Sequence, residues 1–167
     1  NTRKKMNKNF QKIIAILIIL ILTISIVGFT YYRDADALSK VRLEINDIEF
    51  ISPTLTNVTL KFSVKFINPS DTNINNLESV FDIFIESNYI GEGNFSNIDI
   101  QSNSNITKQI KVTIIYSGLA HSVVDIILNF ISGKTSSLKI DGNLRSDTVF
   151  GLIKISEKYY VEYPQKI

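Results

Sequence analysis

From Ile13 to Tyr32 the sequence is apolar except for Thr23, Ser25 and Thr30, and no other stretch restricts the fold as strongly. A helix that is apolar on every side needs non-aqueous surroundings. At 1.5 Å per residue, about 20 residues reach about 30 Å, the thickness of a bilayer core. A buried core helix is the alternative, but a chain of 167 residues offers too little protein to cover one. Arg3, Lys4, Lys5, Lys8 and Lys12 precede the run, and Arg33, Asp34 and Asp36 follow it. That asymmetry predicts a basic cytoplasmic tail over residues 1–12 and places everything after the run outside. Tyr31 and Tyr32 then fall at the outer interface. The sequence opens on Asn1, and Met6 is the expected start of translation.

Residues 13–32 therefore read as a transmembrane signal anchor and 33–40 as a linker. Ala35-Asp36-Ala37 has the small-x-small form of a signal-peptidase site, so secretion after cleavage following Ala37 is the alternative. The length of the run favours the uncleaved anchor, because the apolar core of a cleaved signal spans only about 7–15 residues.

Beyond the linker the period changes to that of strands. Val58, Leu60, Phe62, Val64 and Phe66 alternate with Thr59, Lys61, Ser63, Lys65 and Ile67, the pattern of a strand with one buried face. Asn68-Pro69 stops it, since proline lacks an amide proton and steers its predecessor out of helix. Leu77, Phe81, Ile83 and Ile85 begin a second strand, Ser87-Asn88 reads as a hairpin turn, and Tyr89 to Phe95 is the return arm. Upstream, Val41, Leu43 and Ile45 are odd but Ile48 and Phe50 even, so a bulge is predicted at Asn46-Asp47. Ser96 to Asn105 reads as an edge segment running into a loop, and Ile106 to Tyr116 as a strand. Leu119, Val123, Ile126, Ile127, Phe130 and Ile131 recur at helical spacing, which predicts a helix over 118–132 with Ser117 as cap and Gly133 just past its end. Leu138, Ile140, Gly142 and Leu144 alternate, Asp141 to Asp147 supply turn residues, and Val149 to Tyr163 close the chain. Many strands and one late helix predict a two-sheet sandwich over 41–163 in place of an α/β sheet. Gly91 and Gly93 stand out on their strand as marks of a bulge or a close backbone approach.

The chain has no Cys and no Trp, so no disulfide, thiolate metal site or cysteine nucleophile is available. After Ala37 it carries about 12 basic and 14 acidic residues, leaving no basic patch for nucleic acid. His121 is the only histidine; Ser122 beside it on a helix points elsewhere, which is no catalytic arrangement. Asp71, Asp82, Glu86, Glu92 and Asp99 read as a solvated outer face, and Asp71-Thr72-Asn73 lacks the glycine turn and distal glutamate of a calcium loop. No catalytic, metal or cofactor residue is therefore assigned. Asn57, Asn94 and Asn105 open Asn-x-Ser/Thr sequons that the topology would expose to glycosylation.

Phe66-Ile67-Asn68-Pro69, Tyr89-Ile90-Gly91-Glu92-Gly93 and the strand Ile106 to Tyr116 together resemble the LEA_2 family, the atypical late-embryogenesis-abundant proteins with the water-stress and hypersensitive-response domain. The resemblance covers about Val41 to Tyr163, with Asn68, Pro69, Gly91 and Gly93 as the family-motif positions. It implies an immunoglobulin or fibronectin III type antiparallel sandwich in which the first, second and fifth strands form one sheet and the hairpin arms join the last two strands. A direct pairing across Asn68-Pro69 would instead set Lys61 against Glu86 and Lys65 against Asp82; the crossover is preferred. The resemblance further implies a non-enzymatic domain acting by binding or by stress protection at the cell envelope. A lipid-binding or lipid-transfer module and an adhesion or assembly domain that presents a sheet edge are the alternatives.

Overall fold

The computed structural model describes residues 8–134 and 137–164. Helix α1 (Lys8–Ser39) leads into strands β1 (Arg42–Ile51), β2 (Asn57–Asn68), β3 (Ile74–Ile85), β4 (Asn88–Ile100) and β5 (Ser104–Ile115). A 3-10 turn (Tyr116–Gly118), helix α2 (His121–Ile131) and strands β6 (Ser137–Thr148) and β7 (Ile153–Pro164) complete the chain. The strands form two antiparallel sheets, ordered β1-β2-β5 and β4-β3-β6-β7. Arg3, Lys4 and Lys5 of the basic tail lie outside the described residues.

The alternation in β2 sets the core. Val58, Leu60, Phe62 and Phe66 are fully buried and Val64 nearly so, and each apolar side chain taken from water contributes about 1.5–3 kcal/mol. Phe66 meets Phe95 of the other sheet edge-on at 5.0 Å between ring centroids, a favoured aromatic geometry. On the outer face Lys61 pairs with Glu49 of β1, and Thr59 shares a 3.0 Å hydroxyl hydrogen bond with Thr113 of β5. Asn46 is the extra residue where Ile45 faces Val64 but Asp47 faces Ser63, the bulge expected from the slip of parity. β2 and β3 lie in different sheets, so Asn68-Pro69 begins a crossover and Lys61 has no Glu86 beside it.

Several elements differ from the sequence reading. α1 continues without a break through residues 33–39, where a linker was expected. The late helix starts at His121, because Leu119 and Ala120 are extended; Ser117 belongs to the 3-10 turn, and Ala120 is the N-cap with no side-chain hydrogen bond. Its far end follows expectation. Gly133 has φ +73°, Gly133 N–H donates to Phe130 O at 3.0 Å and Lys134 N–H to Asn129 O at 2.8 Å, a Schellman closure. β4 extends to Ile100, with only residues 101–103 left as loop. The polar stretch 141–147 is strand, not turn, because Asp141, Asn143 and Arg145 face outward while Leu144, Ser146 and Thr148 continue the buried parity.

The β3–β4 hairpin turns one residue earlier than predicted. Ile85 pairs with Asn88, leaving Glu86 (φ 48°) and Ser87 (φ 70°) as the two central residues. Two positive φ angles define a type I′ turn, which favours Asn-Gly. Ser87→Gly relieves the second position and is expected to stabilise the fold by about 0.5–1 kcal/mol. A urea midpoint that rises with unchanged slope checks this; a midpoint that falls counts against the turn.

Candidate functional site

The last turns of α1 are built into the sandwich. Ala37 and Leu38 are 1% and 2% exposed and belong to the core, and the small side chains of Ala35 and Ala37 let the helix approach the sheet closely. Asp34 Oδ2 accepts a 2.5 Å hydrogen bond from Thr148 Oγ1 at the end of β6. Asp36 accepts from Lys40 Nζ at 2.6 Å, which raises the pKa of that exposed lysine above its ordinary value. Between this helix end and the nearby loops runs a groove of about 670 Å³, reached by Thr30 and Arg33 from α1, Asp71 from the crossover and Phe150 from the β6–β7 turn.

Asn68 closes the crossover at this same end of the sandwich. It is 1% exposed. Its Nδ2 donates to Thr72 O at 2.7 Å and Gln101 O at 3.0 Å, with Ile100 O at 3.4 Å. Its Oδ1 accepts from Ser70 N–H at 3.1 Å and from Ser70 Oγ at 2.7 Å. One amide thus ties the β2–β3 and β4–β5 connections together, and Asn103 N–H adds a 2.7 Å bond to Ser70 O. Pro69 is exposed and serves to stop the strand.

Gly91 and Gly93 lie farther along, where β4 approaches β5. Neither has positive φ, so the reason for glycine is space. A Cβ on Gly93 would stand 2.5 Å from Phe81 Cζ and 2.7 Å from Val112 Cγ2, and one on Gly91 would stand 2.7 Å from Ile114 Cδ1. Gly93 and Gly91 pair with Phe81 and Ile83, and the register then shifts before Phe84 meets Tyr89, leaving Ile90 as an extra residue; close approach at both glycines is therefore joined by a bulge beside Gly91. A third glycine completes the arrangement: Gly142 pairs with Phe81 from the other side, and a Cβ there would meet Phe81 Cβ at 2.8 Å. Its inward parity was visible in the sequence; its pairing with Phe81 was not.

The remaining polar candidates are scattered. His121 is exposed at the start of α2, beside exposed Ser122. Asp82 lies between Glu92 and Asp141 in register on the outer sheet face, Glu86 is in the hairpin turn, and Asp99 Oδ1 accepts from Asn76 N–H at 2.8 Å. Among the described residues, no three His, Asp or Glu side chains converge to hold a metal ion. Burial pushes the Tyr159 phenol up to about 12, while its hydroxyl contact with Ser79 at 3.1 Å works the other way; this is a neutral packing group. Burial also raises Tyr116. Of the sequon residues, Asn94 and Asn105 are exposed on β4 and β5, and Asn57 is half-buried at the start of β2. The apolar space between the sheets around Phe62, Phe81 and Tyr159 is about 10 Å³, about the volume that one water needs.

Fold and junction together define a two-sheet antiparallel β-sandwich carried on an apolar helix. α1 is long and apolar enough to cross a membrane, with its most apolar part uncovered by protein. No family model matches the chain, and no curated protein sequence matches it. Among solved structures, the solution structure of AT1g01470 from Arabidopsis thaliana is similar over 75% of this chain and 80% of that chain, at 14% identity and a TM-score of 0.52. A protein from Archaeoglobus fulgidus overlaps 75% of this chain and 99% of its own, at 9% identity and a TM-score of 0.40. At2g46140.1, provisionally a late embryogenesis abundant (LEA) protein, overlaps 87% of this chain and 86% of its own, at 16% identity and a TM-score of 0.38. The first likeness shows a shared fold; the other two are too distant to carry an argument.

Proposed function

We propose that the chain is a membrane-anchored, non-enzymatic sandwich of LEA_2 type, held outside the cell membrane and acting by binding or by stress protection at the envelope. The observation that carries this reading is the continuity of α1 from its uncovered apolar stretch into the sandwich core at Ala37 and Leu38. A helix end that supplies core residues supports an anchor that stays attached, since cleavage after Ala37 would strip Ala37 and Asp34 from the fold. The order of elements, with a crossover at Asn68-Pro69, close-approach glycines at Gly91 and Gly93 and a single helix before the last two strands, supports the LEA_2 assignment. Asn94 and Asn105 have the exposure that glycosylation outside the cell would need. An acyl chain has no room between the sheets as they are packed, so the lipid-transfer alternative gains no support from the core.

In the native host, the chain is expected to resist alkaline extraction from membranes and to retain its residues before Leu38. Protease added to intact cells should remove the sandwich, and a strain lacking the chain should survive drying less well until the full chain is restored. A mature N-terminus at Leu38, or a turnover abolished by one polar substitution, would overturn the reading.

A further inference from the structure

The β6–β7 turn carries two of the most exposed apolar side chains of the sandwich. Phe150 is 86% exposed and Leu152 is 82% exposed. They flank Gly151, and the whole stretch from Thr148 to Ile153 is uncharged, bracketed by Asp147 and by Lys154. Water is an unfavourable environment for such a tip. An isolated exposed leucine such as Leu55 at the opposite end of the sandwich, set between two threonines, is ordinary by comparison.

The turn is held in place from below. Thr148 and Val149 are 2% and 4% exposed, and the Thr148 hydroxyl is bonded to Asp34 of α1. Val149, Phe150 and Gly151 then follow with φ of 49°, 59° and 82°. Left-handed backbone is costly for a β-branched valine and persists where the surroundings enforce it. Phe150 and Gly151 line the same groove as Thr30, which lies one turn, about 6 Å, before Asp34 within the apolar run. Phe150 thus shares a groove with the last residues of the run that is long and apolar enough to span a bilayer.

We propose that the Phe150 to Leu152 turn is a second membrane contact, seated in the lipid interface of the leaflet from which α1 emerges. This rests on the reading of residues 13–32 as membrane-spanning. The bilayer is the fitting occupant because the turn is continuous with the apolar helix, lacks charge, and presents an aromatic and an aliphatic side chain at the depth where interfacial anchors lie. Helix and turn together give the sandwich two points of attachment, which fixes its tilt as well as its distance from the surface.

The absence of tryptophan makes the test direct. Full-length chains carrying one tryptophan each, Phe150→Trp, Leu55→Trp or Ile24→Trp, are placed in phosphatidylcholine vesicles without brominated lipid or with lipids brominated at either of two depths. Bromine near the glycerol end of the acyl chains reaches an interfacial Phe150→Trp, and bromine near the methyl end reaches Ile24→Trp at mid-span. The exposed positions tolerate the change. Phe150→Trp should emit at shorter wavelength than Leu55→Trp and lose most of its emission to the brominated lipid, while Leu55→Trp loses none. Quenching of Ile24→Trp without quenching of Phe150→Trp would overturn the second contact and leave the anchor standing. A blue-shifted but unquenched Phe150→Trp would mean that protein covers the turn, and would also overturn it. If Ile24→Trp too is unquenched, the membrane reading itself fails and the proposal with it.

Discussion

Asn68→Ala is expected to lower stability by about 3–4 kcal/mol, the loss of several hydrogen bonds plus the cost of leaving buried carbonyls unpaired. The side chain is 1% exposed and holds Thr72 O, Gln101 O and both donors of Ser70. Asn68→Asp should be worse at neutral pH. It replaces the donating amide by a second acceptor that faces carbonyl oxygens, and it leaves a buried charge with no cation among its contacts. Acidification should recover part of the aspartate variant, because protonation restores a donor, and should leave the alanine variant where it was. Urea unfolding in detergent, followed by the near-ultraviolet circular dichroism of the tyrosines, measures both. A loss below about 1 kcal/mol for Asn68→Ala would mean that the crossover is held by other contacts.

Gly93→Ala is the second large effect, about 3 kcal/mol of overpacking. Its new methyl would stand 2.5 and 2.6 Å from the Phe81 ring and 2.7 Å from Val112. On the β6 side the Phe81 Cβ is already confined, 2.8 Å from where a Cβ on Gly142 would stand. Gly91→Ala should cost visibly less, since its single clash is with the far end of Ile114, a side chain that can change rotamer. Shortening the ring tests the cause. In a double-mutant cycle, Phe81→Leu should recover part of the Gly93→Ala loss, and strict additivity of the two would show that the clash lies elsewhere.

The legible parts of this fold are those where one side chain decides one thing. The period of β2 named its buried face, and the slip between Ile45 and Ile48 located the bulge at Asn46. Asn68-Pro69 was readable as a stop, but its choice of a crossover over a hairpin came from the LEA_2 resemblance. Local sequence holds nothing about which sheet receives the next strand. The polar residues of β6 misled because outward-facing Asp141, Asn143 and Arg145 have turn chemistry on a strand. The true turn begins with Val149, which no turn rule would select, since its φ of 49° is imposed by packing. At the end of α1, residues 33–40 read as a linker because the apolar run stops at Tyr32. Asp34 is there to receive Thr148, a partner 114 residues away that no local pattern reveals. The role of Asn68 was hidden for the same reason: its partners Ile100 and Gln101 become neighbours only once the two sheets are stacked.

The placement of α1 also decides how this molecule carries load. α1 enters the sandwich beside the start of β1, and β7 runs away from that end until Pro164 pairs with Ser137. A pull between α1 and the far end of β7 is therefore directed along the strands, while the ladder hydrogen bonds lie across them. The bonds between β1 and β2 are loaded together in shear and not peeled one after another. The crossover amide of Asn68 sits at the end where that tension enters, so the chain meets such a pull as a riveted plate does.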